Sequence, residues 1–114
     1  MALRPDQREQ VERLLGEFCE NRVPPQHRSK VRYGFLIRSS SVTLSEFRPS
    51  FTRPNVWTEC AVAKFSFDGT ASKWTVFWQR ANGRWQRCDW RRPAKRFATV
   101  LAEVVTDSYG TFFG

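Results

Sequence analysis

Between residues 30 and 90 apolar side chains recur at every second position in short runs, and on either side of that stretch they recur at helical spacing. Nothing else narrows the fold as far, because a period of two belongs to strands and a period of 3.6 to helices. Val11, Leu14, Leu15, Phe18 and Cys19 make one stripe after Pro5, whose missing N–H costs nothing in a first helical turn. Phe97, Val100, Leu101, Val104 and Val105 make a second stripe after Pro93. The spacing predicts helices over 1–24 and 93–106.

Between them, "KVRYGFLIRS" (30–39) and "SVTLSEFR" (41–48) read as a hairpin through Ser39-Ser40. "CAVAKFSF" (60–67) and "SKWTVFWQRA" (72–81) read as a second, around Asp68-Gly69. "RWQRCDW" (84–90) completes a third with Asn82-Gly83 at its tip, the strongest short hairpin signal. Residues 49–58 hold two prolines and read as a connection. The expected class is α+β: an N-terminal helix, a five-stranded antiparallel meander over 30–90, then a C-terminal helix. Both helices are expected on one face of the sheet, with an aromatic tail over 107–114. A chain of 114 residues has the length of one domain, 1–114.

Residues opposite each other in an antiparallel pair share a face, so hairpin registers can be chained. A two-residue turn at Ser39-Ser40 sets Ile37 against Val42, Phe35 against Leu44 and Tyr33 against Glu46. A loop at 68–71 sets Phe65 against Trp74, Ala63 against Val76 and Ala61 against Trp78. A two-residue Asn-Gly turn then sets Trp78 against Arg87 and Arg80 against Trp85. One face thus collects Phe35, Ile37, Val42, Leu44, Phe65, Phe67, Trp74, Val76, Trp78 and Trp85, the surface that two amphipathic helices need. The reverse face shows Arg32, Arg38, Val62, Lys64, Lys73 and Arg84 with Gln79, Gln86, Cys88, Phe47, Phe77 and Trp90, and no acid. A five-residue loop at 68–72, or one bulge, would swap the faces of the last two strands.

Net charge is +8, and the excess lies in two blocks. Residues 22–53 hold seven basic side chains and one acidic, and 73–96 hold eight and one. Both predicted helices lie largely outside these blocks. Local positive charge attracts polyanions, and a basic sheet face with scattered aromatics suits single-stranded nucleic acid. The expected contact residues are Arg32, Arg38, Lys64, Lys73, Phe77, Gln79, Arg84 and Trp90, extended by Arg91, Arg92, Lys95 and Arg96. A solvated surface serving solubility is the plainer account of the same charge.

Catalytic and metal chemistry find little material. Cys19, Cys60 and Cys88 are odd in number, far apart and in no CxxC, so reduced packing residues are expected. His27, the one histidine, lies beside two prolines in a loop. No P-loop, GxGxxG or metal-ligand cluster occurs, so no cofactor, no metal and no enzyme activity are expected. Glu46 is the odd acid, on the apolar face level with Tyr33. Pairing with Arg48 or a helix residue is its simpler account, an active-site acid the sharper one. There is no run long enough for a membrane span and no signal-peptide core, which predicts a cytoplasmic protein with no membrane partner.

The segments "VTLSEFRP", "NVWTECAVAKFSF", "KWTVFWQRANGRW" and "DSYGTFFG" resemble domain-of-unknown-function family 3024, a family of small bacterial proteins. The likeness runs from about Val31 to the last residue. Its most specific part is the tail: Asp107, Tyr109, Gly110, Phe112, Phe113 and Gly114. The resemblance implies a family and no activity. It also implies that a histidine often stands where this chain has Gln86, so an acid–base role there has no chemical basis in this sequence. Phe112-Phe113 is expected to seal the core, or else to dock a partner.

Two functions follow as expectations. The first is a non-enzymatic nucleic-acid-binding module using the open sheet face. The alternative is a protein-interaction or homodimerising module built on the same aromatics or the tail.

Overall fold

The computed structural model describes residues 2–88, 92–107 and 112. In chain order come α1 (Pro5–Arg22), a 3₁₀ turn (Pro25–His27), β1 (Arg32–Arg38), β2 (Ser41–Pro49), β3 (Trp57–Asp68), β4 (Lys73–Gln79), β5 (Trp85–Arg87) and α2 (Phe97–Thr106). The five strands form one antiparallel sheet in sequence order, a meander.

α1 packs on β1, α2 packs on β4, and the two helices touch. Both cover the predicted apolar face. Val11 and Leu15 from α1 and Phe97, Val100 and Val104 from α2 are buried with Val42, Leu44, Ala63, Phe65, Trp74 and Val76 of the sheet. Phe97 meets Phe65 edge-on at 4.9 Å and Trp74 at 5.0 Å between ring centres. Each such side chain stabilises the fold by ~1.5–3 kcal/mol relative to exposure. Phe112 from the tail is half-buried against this core, while Phe113 lies outside the described residues.

Helix limits follow local chemistry. α1 stops at Arg22 because Val23, which precedes Pro24, is forced extended (φ −116°, ψ 121°). α2 starts at Phe97 and not near Pro93. Ala94 exchanges both backbone hydrogen bonds with Trp74, at 2.6 and 3.0 Å, which holds the chain extended beside β4.

The β1–β2 register is the expected one, with Phe35 opposite Leu44 and Tyr33 opposite Glu46. Between β3 and β4 the pairing is displaced by two: Phe65 stands opposite Val76 and Phe67 opposite Trp74. Asp68 pairs with Lys73. Its carboxylate accepts the N–H groups of Thr70 and Ala71, so the loop begins one residue later than expected. A shift of two preserves the faces.

Two other departures change faces. A bulge between Leu44 and Ser45 of β2 and Ala63 and Ala61 of β3 leaves Val62 as the extra residue, buried in the core cluster. Below it Glu46 pairs with Cys60 and Phe47 with Glu59, so Ala61 and Glu59 fall on the face away from the helices. At the β4–β5 turn, Arg80 O accepts the Gly83 N–H and Arg84 O the Arg80 N–H, both at 2.8 Å. Gly83 is left-handed at φ +84°. This is a three-residue turn with a glycine bulge, one residue longer than the expected Asn-Gly turn. It places Gln79 opposite Trp85, Trp78 opposite Gln86 and Phe77 opposite Arg87. Trp85 therefore leaves the apolar face, and Cys88 enters it, 2% exposed.

Candidate nucleic-acid interface

Among the described residues neither helix packs on the second face of the sheet. A row of opposed residues crosses all five strands there: Leu36, Thr43, Lys64, Phe77 and Arg87. Next to it run Arg38, Ser41, Ser66 and Thr75, and on the other side Gly34, Ser45 and Ala61. Lys64 holds the centre, its Nζ 5.8 Å from the Phe77 ring centre and 5.9 Å from that of Trp85. Such contacts orient the ammonium by the negative face of each ring.

Between these rows lies an open depression of about 780 Å³. Arg38, Ser41 and Lys64 line it toward the β1–β2 turn, and Phe47 and Glu59 line the opposite end. Gly34 makes room for Phe47, since a methyl group there would stand 3.2 Å from Phe47 Cε2. Ser45 is buried, and its hydroxyl donates to Glu59 Oε1 at 3.2 Å.

The expected contact residues divide. Arg32, Arg38, Lys64, Lys73, Phe77 and Gln79 share the open face. Arg32 lies over Trp57, its guanidinium carbon 4.2 Å from the ring centre. Gln79 donates to Gly83 O at 3.1 Å, which ties it to the turn. Arg84 is exposed in that turn rather than on a strand. Arg92, Lys95 and Arg96 are exposed on the segment that runs from β4's edge into α2. Trp90 and Arg91 lie outside the described residues.

The face is not free of acid, against expectation: Glu59 and Asp68 both stand on it. Gln86 and Cys88, expected there, are on the helix side. Sequence reasoning also missed Trp85 and Trp57. Trp57 belongs to β3 and pairs with Pro49, within a stretch that two prolines made look like a connection.

Glu46 pairs with Arg48, as its simpler account expects. Tyr33 donates its hydroxyl to Glu46 Oε2 at 2.8 Å, and Arg48 Nε donates to Oε1. Burial pushes the carboxyl up, but the bonds from Arg48 and Tyr33 and the charges of Arg48 and Arg22 outweigh it and hold the pKa below the usual value. Burial, then the bond to Glu46, raises the Tyr33 hydroxyl. This is an ionised carboxylate tying β1 to β2. Among the described residues no three His, Cys, Asp or Glu side chains gather as metal ligands, and no helix is long and apolar enough to cross a membrane.

A family model described as Domain of unknown function (DUF3024) matches residues 3–114. The chain belongs to the DUF3024 family. The match takes in α1 as well as the segments from Val31 onward that carry the resemblance. No curated protein and no solved structure matches this DUF3024 chain.

Proposed function

We propose that this DUF3024 domain binds single-stranded nucleic acid across the open face of its sheet, without catalysing a reaction on it. The observation that carries the reading is Lys64 set between Phe77 and Trp85 at the centre of a sheet face that neither helix covers. Cations along that face neutralise phosphates, and the half-buried rings of Phe77 and Trp85 offer stacking surface to bases, worth ~1–3 kcal/mol per stacked base. Arg38 and Lys73 extend the positive track toward the sheet ends, and Arg84 and the 92–96 segment continue it past β4.

Fluorescence anisotropy of a labelled oligothymidylate tests the reading. Binding should be measurable at low salt, weaken steeply as salt rises, and fall in Arg38→Glu and Lys64→Glu. Absence of salt-sensitive binding at low ionic strength would sink it.

Leu36, 57% exposed at the β1 end of the row through Lys64, favours a second reading, a protein-interaction or homodimer interface. Apolar contact survives salt. Sedimentation at low and high salt separates the two, because a dimer through Leu36 persists where nucleic-acid binding disappears.

A further inference from the structure

We infer that the depression between Arg38 and Glu59 is a subsite for one guanine nucleotide, with Glu59 reading the base. This rests on the nucleic-acid reading above and specifies its base preference.

One charge on this face is out of place. A carboxylate on a phosphate-binding face repels the ligand and lowers affinity, unless it makes a bond that compensates. Glu59 takes part in none of the ion pairs among the described residues, so no described cation accounts for it. It is instead aimed. The buried Ser45 hydroxyl donates to Oε1 and fixes the carboxylate at the wall of the depression, while Oε2 accepts no hydrogen bond among the described residues.

An ionised carboxylate only accepts hydrogen bonds, and it accepts two side by side. Of the nucleobases, guanine alone presents two adjacent donors on its pairing edge, N1–H and the N2 amino group. Adenine and cytosine set an amino group beside a ring nitrogen acceptor, which repels the second oxygen. Thymine and uracil set one N–H between two carbonyls. Guanine fits, and each of the others leaves a repulsion or an unmet oxygen.

The far end supplies what the rest of the nucleotide needs. Lys64 stands four pairing steps from Glu59 along β3, or ~13 Å of strand, comparable with the span of a nucleotide from phosphate to base edge once side-chain reach is added. Lys64, Arg38 and the Ser41 hydroxyl meet the phosphate there, and Phe47, laid over Gly34, borders the base. A strand lying this way follows β2.

The same chemistry is present in a strand and in free guanosine monophosphate, so both are tested. Affinities are measured for an oligothymidylate and for the same oligomer with a single central guanine, inosine, adenine or cytosine. The guanine oligomer should bind about tenfold tighter than the parent, as a paired carboxylate contact implies. Inosine, which lacks only the N2 amino group, should lose most of that gain. Glu59→Gln should erase the preference and also strengthen binding of the parent oligomer. Its thermal unfolding, compared with the native chain, guards against a folding defect. Equal binding of all oligomers overturns the subsite and leaves the strand reading intact, as does a preference that survives Glu59→Gln. Binding of guanosine monophosphate over inosine monophosphate, with no oligomer bound, upholds the subsite and overturns the strand reading. Binding of neither overturns both.

Discussion

Lys64 stands between two aromatic rings from different strands, 5.8 Å from the centre of Phe77 on β4 and 5.9 Å from that of Trp85 on β5. Phe77 is directly opposite Lys64 in the β3–β4 pair, whereas Trp85 arrives from the next strand, opposite Gln79. The β4–β5 glycine bulge makes the second contact, because one residue fewer in that turn would point the indole at the helices.

Two tryptophans should therefore respond oppositely to truncation. Trp74 is 2% exposed and packs on Phe67 and Phe97, so Trp74→Ala should cost ~3–5 kcal/mol in urea unfolding. Trp85→Ala should cost about 1 kcal/mol or less and weaken oligonucleotide binding instead. The reverse ranking in unfolding midpoints would contradict the placement of Trp85.

Gly16 and Gly83 both have open space where a Cβ would go, yet their alanine variants should differ in sign. Gly83 has φ +84°, and Gly83→Ala should destabilise by about 1 kcal/mol through backbone strain. Gly16 lies inside α1, and Gly16→Ala should stabilise by ~0.5–1 kcal/mol through helix propensity. Thermal unfolding of the pair checks this.

Glu46 makes stability depend on acid. Its folded pKa is lowered below the ordinary 4.5, with the bonds from Arg48 and Tyr33 outweighing burial, so the unfolded chain takes up the proton first. Its contribution is thus complete above that ordinary value and is lost as pH falls through the lower folded value. Glu46→Gln should be less stable than the native chain at pH 7, and the gap should close in strong acid. A gap that stays constant in urea titrations across that range would refute the account.

The three cysteines should label in order of access. Cys60 is exposed, Cys88 is buried, and burial pushes the Cys19 thiol up to about 11. A thiol reagent on the native protein at neutral pH should modify Cys60 first, with Cys19 and Cys88 reacting only on unfolding. Mass spectrometry of the partly labelled protein identifies the site. Early modification of Cys88 would show that β5 does not close on the core.

The amino-acid pattern alone determined the two helices, the five strands, the meander and most of the core. Burial repeats with the geometry of the chain, and Val11, Leu15, Phe35, Val42, Phe65 and Phe97 repeat with it. Arg38 and Lys64 were legible as open-face cations for the same reason, since each lies between its hairpin turn and any bulge, where alternation is unbroken. Glu59, Trp57 and Trp85 were not. Face assignment by parity carries along a strand only until a residue is added, and a bulge adds one without changing the alternation on either side of it. Nothing in "ECAVAKF" marks Val62 as the extra residue, and "RANGRW" is compatible with a turn of two residues or three. Tertiary packing chose between them. It buried Val62 and Cys88 with the helices, and so left Glu59 and Trp85 facing outward around Lys64.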